Sequence, residues 1–284
     1  MKAYELLCIV SGKLDAPPNA QTRIYCTADY TAVMAKKPRP ALSLPLSRAD
    51  ALKDAAYRQK LFEALLPKGT VLVAKPRQWI TLAQAVGCLT TNAAILAKLC
   101  AQLRDQVQFQ ITVEWEPSQV LSHFRTAPEL AGLFHAQTAS ARQLEAALGR
   151  LRQRLATQIS DLIAPVATDM LALPRAGEML SNLAVLIPNE REIDLDLAVE
   201  RVDEIWTDGL TIRQIGPSAA GSFALLDLEW ISAKDIEHAH QILGIKRTAK
   251  PDAQAAARRR VLLQPNVDAI QVKRAAAIAA SASD

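Results

Sequence analysis

The chain has only four cysteines, Cys8, Cys26, Cys88 and Cys100, with no C-x-x-C pair among them. Each sits among apolar neighbours in a segment of strand or helix character, which excludes a thiolate metal quartet and reads as buried free thiols. Aromatic residues make up 5% of the chain, too few for the stacking platforms that single-stranded RNA requires. No apolar run approaches the ~18 residues needed to cross a bilayer, and residues 1 to 12 lack a basic n-region before a cleavable apolar segment. The expected location is the cytoplasm, without membrane contact.

Signatures of chemistry are missing too. The PKGT at Pro67–Thr70 lacks the preceding glycine and the Lys-Ser/Thr order of a phosphate loop, and no dinucleotide fingerprint occurs. His238 and His240, two residues apart on a helix, point about 200° apart and cannot share a metal. His123 and His135 have no cysteine or carboxylate pattern to complete a site. Asp194, Asp196, Glu200, Asp203 and Glu204 lack the loop glycine of a calcium site and have the spacing of a polar helix face. No pattern selects a nucleophile or a general base. The expectation is a non-enzymatic protein with no metal and no cofactor.

Half of the 284 residues are apolar and 22% are charged, the composition of a globular chain long enough for two domains. The net charge of +4 comes from residues 247–284, with seven basic and three acidic groups; the rest is balanced at 26 of each. A folded nucleic-acid module would carry its basic stripe on the body, so no nucleic-acid partner is expected. The terminal stretch is rich in alanine and arginine, holds Pro251 and Pro265 and ends ASASD. With few large apolar side chains to offset ordering entropy, it reads as a flexible basic tail with room for a short helix at 253–263.

A first α+β domain is expected over 1–117. Tyr4–Val10, Arg23–Thr27, Tyr30–Ala35 and Gly69–Ala74 read as strands. Ser47 and Asp50 open a helix through Leu52, Leu61 and Leu65, and Ile80–Leu103 reads as helix. Val107, Phe109, Ile111, Val113 and Trp115 alternate with polar residues, the pattern of a strand with one wet face. Pro117 sets the boundary. Ser118–His135 reads as two short helices broken at Pro128. A long helix then runs from Ser140 to Ala164, whose stripe Leu144, Leu148, Leu151, Leu155 and Leu162 is too short for a coiled coil and should pack on its own chain.

The second α+β domain is expected over 118–246 and centres on Leu210–Trp230. Leu183–Ile187 is a strand, and Leu195, Ala198, Val199, Val202, Ile205 and Trp206 line a helix. Leu210–Ile215 and Phe223–Leu228 read as a β-hairpin around Gly216-Pro217, and Ile236, Ala239 and Leu243 line a helix ended by Gly244. Phe223 and Leu225 would lie on one face and Leu226 and Leu228 on the other, giving a sheet apolar on both sides.

NLAVLI at 182–187, IGP followed by SF over 215–223, LGI at 243–245, YELLCIV at 4–10 and LLPKGTVL at 65–72 together resemble the gas vesicle protein F/L family. The similarity spans roughly residues 1 to 245 in order. After the GP, this chain has Ser218-Ala219-Ala220-Gly221 where the family pattern usually has aromatic and proline residues. The resemblance implies modified ferredoxin-like domains, each a mainly antiparallel sheet with helices packed on it. It also implies an accessory role in gas vesicle assembly, with the small apolar shell protein and other accessory proteins as partners. On that reading the protein would bind shell protein and limit its aggregation during nucleation, through Gly216, Pro217, Phe223, Leu226 and Leu228. The alternative is a small-molecule-binding regulator with the same domains, which requires a pocket with converging polar groups.

Overall fold

The computed structural model describes residues 3–38, 47–81, 84–85, 88–89, 92–135, 140–227, 233–246, 249–264 and 267–281. The strands are β1 (Tyr4–Ser11), β2 (Thr22–Cys26), β3 (Tyr30–Pro38), β4 (Val71–Ala74), β5 (Trp79–Ile80), β6 (Gln106–Trp115), β7 (Asp169–Ala172), β8 (Met179–Pro188), β9 (Leu210–Ser218) and β10 (Leu225–Leu226). The helices are α1 (Arg48–Leu65), α2 (Ala93–Leu103), α3 (Pro117–His123), α4 (Pro128–His135), α5 (Ala141–Ile163), α6 (Glu192–Asp203), α7 (Ala233–Leu243), α8 (Pro251–Leu262) and α9 (Ala269–Ser281).

Contacts divide the chain into two units, each drawn from separated stretches. The first comprises Met1–Pro45, Ala74–Gln102 and Leu226–Asp284; the second comprises Leu46–Val73 and Leu103–Leu225. The boundary expected at residue 117 therefore falls on the wrong side of β6. That strand does not close the first unit: it is an interior strand of the second unit's sheet, whose order is β7-β8-β6-β9.

In the second unit β6 pairs antiparallel with β8, from Gln106 opposite Pro188 to Glu114 opposite Met179, and with β9, from Gln108 opposite Ser218 to Trp115 opposite Leu210. β7 pairs with β8, Asp169 opposite Leu186. The order along the chain is strand, helix, strand, strand, helix, strand. Val107, Phe109, Ile111, Val113 and Trp115 form one core with Leu183, Val185 and Ile187 of β8, and with the inward faces of α5 and α6. α5 begins with a capping box in which Ser140 and Gln143 satisfy each other's backbone N–H groups. It buries Ala147, Leu151, Leu155, Ile159 and Ile163 at near-heptad spacing on its own chain, as the leucine stripe implied. Each such large aliphatic residue contributes roughly 1.5–3 kcal/mol by leaving water.

The face of β6 expected to be wet is polar but partly covered. Thr112 is buried, and Asn182 gathers the polar groups there: its Oδ1 accepts from Gln110 Nε2 at 2.9 Å and Thr112 Oγ1 at 3.4 Å, while its Nδ2 donates to the Pro174 carbonyl at 2.8 Å. The cluster satisfies groups that would otherwise be costly to desolvate.

In the first unit β3 lies between β1 and β2, all antiparallel, and β5 pairs with the start of β1. Leu6, Leu7, Ile9, Val10, Val33 and Met34 are buried on these strands, and Leu96 is buried on α2. Of the helix expected over Ile80–Leu103, Ile80 belongs to β5, residues 84–85 and 88–89 are helical, and α2 runs over Ala93–Leu103. In the second unit Leu52, expected on the buried side of α1, is exposed; Arg58, Leu61, Phe62 and Leu65 are the residues that α1 buries.

Two further expectations are overturned. Residues 251–262 and 269–281 are helices, not a flexible tail, and α8 and α9 close on α7 through Ala239, Leu243, Ala257, Val261, Val272, Ala275 and Ala279. Alanine supplies little area, but its small side chain lets helices approach closely and forms helix best. Gly244 (φ +62°) ends α7, and the Ile245 N–H bonds back to the His240 carbonyl at 3.0 Å. Likewise, β9 and β10 do not pair as a hairpin: β9 lies along β6, while β10 is hydrogen-bonded to β4. The hairpin of the second unit is β7–β8.

Candidate functional site

The residues singled out in the sequence separate into two settings. Gly216 and Pro217 lie near the end of β9, where the register to β6 shifts between Gln108 and Gln110 and the strand bulges. Gly216 has φ +155°, and a Cβ there would stand 2.5 Å from the Phe109 ring and 2.9 Å from the Gln108 carbonyl. Only glycine fits without displacing that ring. Ser218 Oγ donates to the same carbonyl at 3.0 Å, and Gln108 Oε1 accepts from the Ser222 N–H at 2.9 Å. The loop that departs from the family pattern is thus tied to β6 by side-chain bonds, with Ala219 and Ala220 buried beneath it.

Phe223 is half-buried in the turn that follows, its N–H donating to the Ala220 carbonyl at 3.1 Å. Leu226 is buried, and its carbonyl accepts from the Lys75 N–H at 2.8 Å; beside it Lys75 Nζ pairs with Asp227 at 2.8 Å. Leu228 lies outside the described residues. Gly216 and Pro217 therefore share no strand pair with Leu226.

The sequence pattern did not point to the apolar groups that stay in water. On the second unit Leu171 of β7, Ile215 of β9, and Ile193 and Leu197 of α6 are exposed, as is Leu225 of β10. β7 and β9 are the outer strands of their sheet among the described residues. Pro217 has no N–H to offer an added strand and the bulge twists that end away, two devices that blunt a sheet edge. The upstream part of β9 has exposed Arg213 and Ile215 and no proline, and α1 also lies against this strand.

Reactive chemistry has little footing. Among the described residues no group of three or more His, Cys, Asp or Glu side chains could hold a metal. Burial pushes the Cys88 thiol up to about 11 despite the bond from Asn92 that favours the thiolate, which makes it inert. His123 stacks on the buried Trp206 at 4.5 Å, with Phe124 edge-on to the indole at 5.1 Å, so this histidine serves as a lid over the core. Trp115 Nε1 donates to Glu178 at 2.9 Å, and Arg152 covers the indole face while pairing with the same carboxylate. A cavity of about 290 Å³ between α7 and α9, lined by Asp235, His238, Ile242, Gln271 and Ile278 among others, lies at the lower edge of ligand-pocket volumes. No helix among the described residues is long and apolar enough to cross a membrane.

The architecture is similar to that of solved GvpF gas vesicle proteins. The fold resembles the gas vesicle protein GvpF from Anabaena sp. PCC7120, at 17% identity and a TM-score of 0.64 over 82% of this chain and 100% of that one. It also resembles GvpF from Microcystis aeruginosa, at 20% identity and a TM-score of 0.60 over 80% and 100%. No curated protein matches the chain in sequence. The model of the gas vesicle synthesis protein GvpL/GvpF family matches residues 17–224, and the chain belongs to that family. It is a family of gas vesicle proteins, not a known enzyme family.

Proposed function

We propose that the protein is a non-enzymatic accessory factor of gas vesicle assembly that binds the small, apolar shell protein and limits its aggregation during nucleation. Family membership over residues 17–224 carries this reading. The physical need is plain: a subunit with one water-repelling face and free strand edges aggregates unless something covers them. The second unit offers matching means in the β9 edge beside exposed Ile215 and in the short β7 edge with Leu171. Strand addition at such an edge is a recurring mode of peptide capture.

On this reading Ile215 and Gly216 meet the shell protein, Pro217 ends the pairing, and Phe223 and Leu226 hold the following segment in place. The protein works in the cytoplasm beside the growing vesicle, with other accessory proteins as further partners and without nucleic acid or membrane. We read the second unit as ferredoxin-like, and its strand-helix-strand-strand-helix-strand order supports that.

Co-expression with the shell protein followed by co-purification tests the proposal. Capture of soluble shell protein that falls at least about tenfold for Ile215→Asp, with unchanged melting, supports it. Shell protein that aggregates equally with and without this chain at every ratio overturns it.

A further inference from the structure

Helix α6 buries Leu195, Ala198 and Val202 and leaves its opposite side unpartnered among the described residues. At 100° per residue that outer side carries Ile193, Leu197, Glu200 and, just past the helix end, Glu204. Ile193 is 73% exposed and Leu197 48%. The surround is strongly acidic: residues 190–204 hold seven carboxylates against two arginines, Arg191 and Arg201. Asp196, Glu200 and Glu204 follow one another at four-residue steps, a like-charge ladder that weakens an isolated helix. Arg191 pairs with Asp194, away from the apolar pair. Asp196 is tied to β9 through Gln214 Nε2 at 2.9 Å, whereas the aliphatic pair and Glu200 stay exposed.

Helix α8 presents the complementary surface with the same geometry. It buries Gln254, Ala257 and Val261, so its outer side carries Asp252 in the first turn, then Ala255, Ala256, Arg259 and, just beyond the helix, Leu263. Leu263 is 86% exposed, the most exposed large apolar side chain described. Arg258 and Arg259 are exposed, while Arg260 turns toward the Leu243 carbonyl at 3.5 Å.

We propose that α8 of one copy docks on α6 of a second copy. With the helices antiparallel, their dipoles are favourably opposed. Leu263 covers Ile193 and Leu197, and Arg259 reaches Glu200, while Asp196 stays bonded to Gln214 Nε2 at 2.9 Å. Small Ala255 and Ala256 leave room for the carboxylate stems. The two surfaces differ, so the contact is heterologous: every molecule retains a free α6 and a free α8, and association continues beyond a dimer into rings or open chains. A contact between two three-turn helices falls below the ~1,200 Å² of stable complexes, so assembly requires high local concentration and is weakened by salt. This inference is independent of shell-protein binding, which was assigned to strand edges.

Sedimentation of the full chain, from micromolar to several hundred micromolar, tests it. The average mass should rise with concentration and return to that of the monomer near 0.5 M salt. Glu200→Arg and Arg259→Glu should each weaken association about tenfold or more, with unchanged melting because both side chains are exposed. An equimolar mixture of the two variants should associate again, since each restores the opposite charge that the other lacks. A chain that stays monomeric throughout overturns the proposal, as does association that ignores both reversals or is not regained on mixing.

Discussion

The core of the second unit and the cluster at the C-terminus are both built by helices burying one side, but from different material. Phe109, Ile111, Leu151, Ile159 and Val185 fill the first, whereas Ala239, Ala257, Ala275 and Ala279 line much of the second, with Leu243 as its one fully buried leucine. A buried methylene is worth about 0.8 kcal/mol, so the two differ in stability per residue far more than in the number of helices. Order does not require a large apolar inventory when small residues bring helix backbones together.

The largest test breaks the stronger side. Phe109→Ala removes the most voluminous fully buried side chain and should cost about 3–5 kcal/mol in denaturant unfolding; a loss below 1 kcal/mol would sink the placement of β6 at the centre of the second unit. On the weaker side, Leu243→Ala should cost about 2–3 kcal/mol, whereas Ala275→Leu, on the wall of the cavity of about 290 Å³ between α7 and α9, should cost less than about 1 kcal/mol because the added carbons have room. A cost of several kcal/mol for Ala275→Leu would mean that the cluster is as tightly packed as the first core, and the contrast disappears.

Gly216→Ala should cost about 1–3 kcal/mol, through the Phe109 ring and the positive φ. Pairing it with Phe109→Ala should recover part of that loss; strict additivity would mean that the ring does not set the requirement for glycine.

The smaller effects depend on protons. Arg154 bonds Glu129 at 2.7 Å and holds its carboxyl below the ordinary glutamate range. A depressed pKa gives stability that is present above the unfolded value and lost as pH falls through the folded one. Wild type should therefore lose its small advantage over Glu129→Gln as pH falls through and below the ordinary glutamate range; an advantage that persists or grows in acid would rule the pair out as its source. Smallest of all, Cys88 should resist alkylation at pH 8 in the native protein while half-buried Cys26 reacts first, read by mass spectrometry.

What could be read from sequence follows the same contrast. β6 and α5 were legible because each writes its period in large apolar residues: every second position from Val107 to Trp115, and the leucine stripe from Leu144. The C-terminal helices were not, because alanine marks no face. The hairpin was misplaced for another reason. Leu210–Ser218 and Leu225–Leu226 each look like strands, and a short link between two strands suggests local pairing. The actual partner of β9 is a strand about a hundred residues upstream, and no local pattern records that. For the candidate site, Gly216 stood out as punctuation, but the reason for it is the ring of Phe109, equally distant in sequence. Exposed Ile193 and Leu197 left one signal, two aliphatics spaced four apart on the side opposite Leu195 and Val202.

The division of the first unit into three separated stretches bears on how the protein is made. A ribosome releases the chain from its N-terminus, so β1 to β3 emerge first and yet cannot complete their unit until residues 226–284 follow. The second unit, although it starts later, has all its strands out once β9 has cleared the exit tunnel. At about 5–20 residues/s the early strands wait many seconds for their remaining contacts. During translation the order of completion of the two units is therefore the reverse of their order of emergence, and the strands that emerge earlier need shielding longer.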